Sequence, residues 1–219
     1  MRIGVDVMGG DMLPHILFES VVDASLQCGC EDTFVVFATK SIIESSNGFL
    51  EGKNVAGAYI EFVEVADVIT MDDDPRSAVR QKKDSSLVVG VAKLAERSLD
   101  AFVSSGNTGA LVVAAHRLLD LLPLCDKPAL LVTIPTKTGV PVALLDVGAT
   151  VSCSPQDLCA FACYGAAFQH ICSDVAEPRI GLMNVGKEKG KGTAEMREAY
   201  SLLEELAQKN EGTFHFIGN

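Results

Sequence analysis

Ala101-Phe-Val-Ser-Ser-Gly-Asn-Thr-Gly-Ala-Leu111 is the stretch whose reading decides the fold. Three apolar residues run into a turn of almost no side-chain bulk, Ser104-Ser-Gly-Asn-Thr-Gly109, and an apolar helical pattern follows at once. A strand that feeds a short polar turn and then a helix is one unit of an α/β sheet. The small residues let backbone N–H groups approach a ligand closely. Unpaired N–H groups and the dipole of the new helix both favour an anion there. A tight connection without any ligand would use the same residues.

The pattern recurs. Ile3-Gly-Val-Asp-Val-Met-Gly-Gly-Asp11, Ala143-Leu-Leu-Asp-Val-Gly-Ala149 and Ile180-Gly-Leu-Met-Asn-Val-Gly186 each read as a buried strand ending in a polar residue and glycine. In an open parallel sheet the carboxyl ends of the strands share one edge, and ligands bind in the crevice there. Four such ends predict a ligand edge. It draws on Asp6, Gly9, Gly10 and Asp11, then Ser104, Gly106, Asn107, Thr108 and Gly109, with Asp146, Gly148, Asn184 and Gly186 from the later strands.

Strand-like runs occur at 2–7, 33–38, 60–65, 101–104, 129–134, 142–147, 180–185 and 213–217, with helical patterns between most of them. Pro14 to Gln27 puts Leu17, Val21 and Ala24 on one stripe. Ser154-Pro155-Gln156-Asp157 is a helix start, with a capping serine, proline at the first position and an acid at the third. Thr193 opens a further helix with Met196, Ala199, Leu203 and Leu206 on its stripe. The alternation predicts a single α/β domain over residues 1–219, a mostly parallel sheet with helices on both faces. Val142–Val147 is a candidate antiparallel partner of Leu130–Ile134, because the Thr136–Pro141 connection suits a hairpin.

Composition narrows the function. The chain has 219 residues, 48% hydrophobic and 21% charged, which is globular rather than disordered. Eighteen basic against 29 acidic residues leave a net charge of −11, which argues against nucleic acid as the partner. The seven cysteines form no C-x-x-C pair and no zinc spacing; scattered thiols fit a reducing cytoplasm. Cys159 and Cys163 lie four apart on a predicted helix and read as small core residues. No signal peptide and no bilayer-length apolar run is present, so the expectation is a cytoplasmic protein, still able to touch a membrane surface.

Two charged stretches remain. Asp72-Asp-Asp-Pro75 precedes Arg76, Arg80, Lys82 and Lys83. Asp74 caps a helix that Pro75 begins, and consecutive acids cannot all face one ion, so no metal site is expected. The basic residues read as a solvated face or as a landing patch for an anionic partner. Gly186-Lys-Glu-Lys-Gly-Lys-Gly192 follows the strand ending at Asn184 and can deliver a lysine to the ligand edge, where a point cation holds phosphate or an oxyanion. Lys191 is the first candidate; Lys187 and Lys189 compete with it. The chain has no Gly-x-Ser-x-Gly elbow, no Walker Gly-Lys-Ser/Thr and no dinucleotide Gly-x-Gly-x-x-Gly.

Taken together, several motifs resemble one family. These are Gly4-Val-Asp-Val-Met-Gly-Gly-Asp11 with Pro14, Pro75 with Ala78-Val-Arg80 and Lys82-Lys-Asp-Ser-Ser86, and Ser104-Ser-Gly-Asn-Thr-Gly-Ala110. Lys127-Pro-Ala129, Leu145-Asp-Val-Gly-Ala149, Pro178-Arg-Ile-Gly-Leu182, Asn184-Val-Gly186, Glu188, Lys191-Gly192 and Phe216-Ile-Gly-Asn219 continue the order. The chain resembles the bacterial phosphate acyltransferases of phospholipid synthesis, the PlsX family, along its whole length. It departs from them at Ser105 for alanine, Thr150 for asparagine, Lys187 and Gly190 in the lysine loop, and Cys125-Asp126. Family members also continue past Gly218-Asn219, with an Asp-Gly-Phe-x-Gly-Asn motif, so the resemblance implies the N-terminal two thirds of a longer chain.

The resemblance implies a fold like that of phosphotransacetylase and the isocitrate/isopropylmalate dehydrogenases. The implied reaction is transfer of a long-chain fatty acyl group from acyl carrier protein to inorganic phosphate, giving acyl phosphate. No cofactor is implied, and Lys191, Asn184 and Asp146 are the expected catalytic residues. Arg76, Arg80, Lys82 and Lys83 would dock acyl carrier protein. A homodimer and peripheral contact with the membrane and a glycerol-3-phosphate acyltransferase belong to the same expectation. Short-chain phosphotransacetylase activity on acyl-CoA, or an inactive truncated binding module, are the alternatives.

Overall fold

A computed structural model describes the chain except residues 29–31, 54–58, 124–126, 138 and 210–212. Cys30, Cys125 and Asp126 therefore lie outside the described residues. The chain divides into two compact units, Met1–Asp120 and Leu121–Asn219.

The first unit holds β1 (Arg2–Asp6), α1 (Pro14–Cys28), β2 (Thr33–Ala38), α2 (Lys40–Lys53), β3 (Ile60–Glu64), α3 (Pro75–Gln81), α4 (Ser86–Ala95), β4 (Ala101–Ser104) and α5 (Thr108–Leu118). Its four strands form one parallel sheet in the order β3-β2-β1-β4. Parallel strands need covered faces, and β2 shows why it sits inside: five of its six residues are buried. Alternation then sends Phe34, Val36 and Ala38 to a core shared with Phe18, Val21 and Val22 of α1. Val35 and Phe37 go to the opposite core, where Val89 and Leu94 of α4 and Phe102 of β4 pack. Helices thus cover both faces. Phe18 meets Phe62 at 5.6 Å between ring centroids, and Phe37 meets Phe102 edge-on at 5.7 Å.

Phe102 packs against α4 where Gly90 has no side chain: a Cβ there would stand 2.0 Å from its ring. The register of β1 on β4 pairs Asp6 with Ser104, so both strands end level with one another.

The second unit holds β5 (Val132–Ile134), β6 (Val142–Leu144), α6 (Pro155–Ser173), β7 (Arg179–Gly181), α7 (Ala194–Lys209) and β8 (His215–Gly218). β5 and β6 pair antiparallel, with Val132 opposite Leu144, as the hairpin reading expects. β7 and β8 pair in parallel. The capping box at Ser154 and Asp157 is present in full. A small core of Leu182, Ala199 and Leu203 is flanked by Phe216, whose ring meets Tyr200 edge-on at 5.1 Å.

One expectation needs correction. The four glycine-ended strands belong to three sheets rather than to one. Only Asp6 and Ser104 end neighbouring strands of a common sheet. The runs at 142–147 and 180–185 are longer than the strands they form because their polar ends turn away into side-chain-bonded loops, and the run at 129–134 loses its apolar start, where the Leu130 N–H donates to Asp146.

Candidate functional site

In the first unit the strand ends form a buried polar knot. Asp6 is 3% exposed, and its carboxylate accepts hydrogen bonds from the Met8 N–H and the Ser104 hydroxyl, both at 2.9 Å. Ser104 Oγ in turn accepts from the Gly106 N–H at 3.1 Å. Burial pushes the Asp6 carboxyl up, against the opposing pull of hydrogen bonds from Ser86, Met8 and Ser104. Gly9 has φ +71°, and a Cβ there would stand 2.0 Å from the Ile69 carbonyl oxygen. A Cβ on Gly10 would stand 2.7 Å from the Ser105 carbonyl oxygen. The loops after β1 and β4 therefore touch backbone to backbone, and Asp6, Gly9, Gly10, Ser104 and Gly106 come together. Asp11 and Thr108 lie exposed beside them.

Asn107 serves the framework at both ends of its amide. Its oxygen caps α5 by accepting from the Ala110 N–H at 3.0 Å. Its nitrogen donates to the carbonyls of Thr70 and Asp73 at 3.1 and 3.2 Å. Gly109 lets α5 close on the start of α3, since a Cβ would stand 2.7 Å from Pro75 Cγ. The side chain of Asn107 thus ties the 70–73 loop to the 104–109 turn.

The basic stretch splits by role. Arg76, Arg80 and Lys83 are exposed. Lys82 is tucked in: its ammonium donates to Asp73 at 2.7 Å and to the Val68 carbonyl at 2.8 Å. Asp73 also accepts from the Thr70 N–H, and Asp74 caps α3 by accepting from the Ser77 N–H at 2.9 Å. Asp73 and Asp74 thus serve different tasks. Among the described residues no three His, Cys, Asp or Glu side chains gather as a metal site.

In the second unit Asp146 organises a turn. Its carboxylate accepts from the N–H groups of Leu130, Gly148, Ala149 and Thr150 at 2.8, 3.2, 3.0 and 2.8 Å. Burial works to raise this carboxyl, but the four donors outweigh it and hold the group below the usual range. Gly148 allows the turn with φ +125°.

The lysine loop is held from within. The Asn184 amide donates to the Lys191 carbonyl at 3.0 Å, and Lys191 N–H bonds the Glu188 carbonyl at 3.0 Å. Gly192, at φ +85°, is where the loop passes over Asn184; a Cβ would stand 2.5 Å from its Oδ1. Among the described residues the N–H groups of 186–190 and 192 donate no hydrogen bond. A loop whose Glu188 and Lys191 carbonyls are held by side-chain amides, and whose other N–H groups are unpaired among the described residues, is suited to an anion. Of its three lysines, Lys189 bonds Glu204 and lies over the Tyr200 ring, 5.1 Å from the centroid. Lys187 and Lys191 are exposed and, among the described residues, form no salt bridge.

Reasoning from sequence missed two positions here. Ser86, the buried first residue of α4, helps to offset the rise that burial imposes on the Asp6 carboxyl, and Asn219 bonds both Asn184 and Glu188. Ser86 stands in the quoted Lys82–Ser86 motif, and Asn219 in Phe216–Asn219. Each had a motif to mark it but no partner visible in sequence.

A family model described as fatty acid synthesis protein matches residues 1–219. Two curated relatives are each named phosphate acyltransferase. That of Chlamydia caviae is 36% identical over 221 residues, covering 100% of this chain and 66% of the relative. That of Caldicellulosiruptor saccharolyticus is 36% identical over 219 residues, covering 100% of this chain and 63% of the relative. The chain spans about two thirds of the length of the curated relatives it matches. Among solved structures, EutD phosphotransacetylase from Staphylococcus aureus superposes with a TM-score of 0.66 at 14% identity, covering 100% of this chain and 68% of that one. That likeness is one of fold. No helix among the described residues is long and apolar enough to cross a membrane.

Proposed function

The chain belongs to the fatty acid synthesis protein family, that of the phosphate acyltransferases above, and we propose that it transfers a long-chain fatty acyl group from acyl carrier protein to inorganic phosphate. A phosphate oxygen attacks the thioester carbonyl carbon, the new C–O bond forms, and the C–S bond breaks. The phosphate proton ends on the departing thiol, and acyl phosphate is the product. Phosphate is its own nucleophile, so the protein needs no serine or cysteine for attack. It needs an anion cradle and a donor for the charge that builds on the carbonyl oxygen.

The observation that carries this reading is the Gly186–Gly192 loop, which joins unpaired N–H groups to the exposed ammonium of Lys191. Asn184 serves the reaction as the anchor of that loop, and Asp146 as the anchor of the turn at Gly148. The Asp6–Ser104 knot and the Gly9–Gly10 approach shape the second place where an anion can sit. Arg76, Arg80 and Lys83 offer an acidic carrier a local cationic surface on an otherwise acidic protein. A second copy of the chain and a membrane-bound glycerol-3-phosphate acyltransferase complete the partners of this reading.

The test is to incubate the chain with palmitoyl-acyl carrier protein and phosphate and to trap acyl phosphate with hydroxylamine. Formation of the hydroxamate supports the reading. Turnover of acetyl-CoA alone would instead make it a phosphotransacetylase. Phosphate binding without turnover of either donor would leave a binding module.

A further inference from the structure

We propose that Asn219 is a positioning residue for Lys191, acting through the loop rather than on substrate. Asn219 and Asn184 stand just past the ends of β8 and β7, which pair in parallel. The Asn184 amide nitrogen donates to Asn219 Oδ1 at 3.2 Å. The Asn219 amide nitrogen donates to the Glu188 carbonyl at 2.9 Å. The same Glu188 carbonyl receives the Lys191 N–H, and the Lys191 carbonyl receives Asn184. Lys191 is thus pinned on both sides of its Cα by a closed chain of hydrogen bonds that runs through Asn219.

The chemistry favours this role over simple packing. Tying the carbonyls of 188 and 191 to the two amides fixes the backbone from which the exposed Lys191 side chain springs, its stem lying over Gly186. Without the Asn219 nitrogen, the Glu188 carbonyl loses its side-chain donor and the loop's inward anchor is halved. Lysine has a long, flexible stem, so the placement of its charge depends on a fixed backbone origin. A displacement of about 1 Å in a reacting group can cost on the order of 10²-fold in rate.

The inference rests on the reading of Lys191 as the charge donor, and the experiment separates the two. Asn219→Asp keeps the shape and the acceptor for Asn184 but removes the donor to Glu188, and Asn219→Ala removes both. We expect kcat for acyl phosphate formation to fall about 10-fold or more in each, with a smaller change in KM for phosphate. In a Lys191→Ala background the same changes should have no further effect on kcat. Exchange of the Lys191 N–H, which donates to the Glu188 carbonyl, should quicken in both variants, while exchange in α7 stays as in the parent. An unchanged exchange rate of the Lys191 N–H, or a loss of kcat that persists undiminished in the Lys191→Ala background, overturns the proposal. A parent chain that forms no acyl phosphate overturns the functional reading alone, and the exchange measurement still decides whether Asn219 holds the loop.

Discussion

The Ser104 hydroxyl donates to Asp6 Oδ2 at 2.9 Å across paired strands, so its proton is committed while Asp6 is ionised. Its remaining capacity as an acceptor goes largely to the Gly106 N–H. Ser104 can therefore donate to a bound anion only when Asp6 itself carries a proton, or is replaced by a group that donates. This makes the protonation of one buried carboxyl a control on the hydrogen-bonding sense of the turn.

Because burial raises the Asp6 carboxyl, the stability it contributes is full below the unfolded-state value and is lost as pH rises through the folded-state value. Asp6→Asn is nearly isosteric, keeps an acceptor for Met8 and can donate to Ser104. We expect it to raise the melting temperature at about pH 7 and to lose that advantage near about pH 3, where aspartate is protonated. A thermal melt at the two pH values checks this. A lower melting temperature at neutral pH would show that the ionised form is welcomed by its partners.

Asp146 should respond with the opposite sign. Its carboxyl is held low, so its stabilisation is present above the unfolded-state value and is lost as pH falls through the folded-state value. Asp146→Asn turns one of the accepting oxygens into a donor facing the N–H groups that surround it. The melting temperature should drop at about pH 7, and the gap between variant and parent should narrow on acidification. A constant gap over that range would mean that the charge of Asp146 does not contribute.

Asn107 offers a separation of cap from bracket. Asn107→Asp keeps an acceptor for the Ala110 N–H but loses the donor to the Thr70 and Asp73 carbonyls. Asn107→Ala loses both. The cap alone is worth about 1 kcal/mol. Unfolding in urea should rank parent, then Asn107→Asp, then Asn107→Ala, and equal stability of the two variants would mean that the cap contributes nothing beyond the bracket.

Docking can be tested with the basic residues divided as the structure divides them. Glutamate at Arg80 and Lys83 should raise KM for acyl carrier protein, most at low salt, and leave KM for phosphate and the melting temperature nearly unchanged. Lys82→Glu should lower the melting temperature, because it sets two carboxylates together where Asp73 and Lys82 now pair. If Arg80 and Lys83 prove silent at low salt, they are a solvated face only.

How far these features were legible differs between the two units. The parallel sheet was readable because β1 and β2 are apolar runs ending at small polar turns, and a buried parallel strand leaves that signature. Which sheet each later strand would join was not readable. β5 and β7 are three-residue strands, and Asp146 and Asn184 spend their side chains on turns rather than on a shared edge. The lysine loop was legible as glycine and lysine, but the commitment of Lys189 to Glu204, 15 residues on, depends on how α7 folds back. The inward role of Lys82 was hidden for the same reason, since its partners Asp73 and Val68 precede α3 while it follows that helix.

That difference among the lysines gives the most direct test of the chemistry. Lys191 is exposed in a glycine-flanked loop, and its backbone is fixed by Glu188 and Asn184. Removing one donor that stabilises developing charge costs about 10²–10³ in kcat. Lys191→Ala should show a loss of that order with an unchanged melting temperature, because its side chain contributes nothing to the core. Lys189→Ala removes the contacts with Glu204 and Tyr200, so its effect should fall on loop order and stability more than on kcat. Lys187→Ala should leave kcat near the parent value. Single-turnover rates and melts of the three variants separate these outcomes. Near-parental turnover in Lys191→Ala rejects its assignment, and a large kcat loss confined to Lys187→Ala moves the charge to the other exposed lysine of the loop.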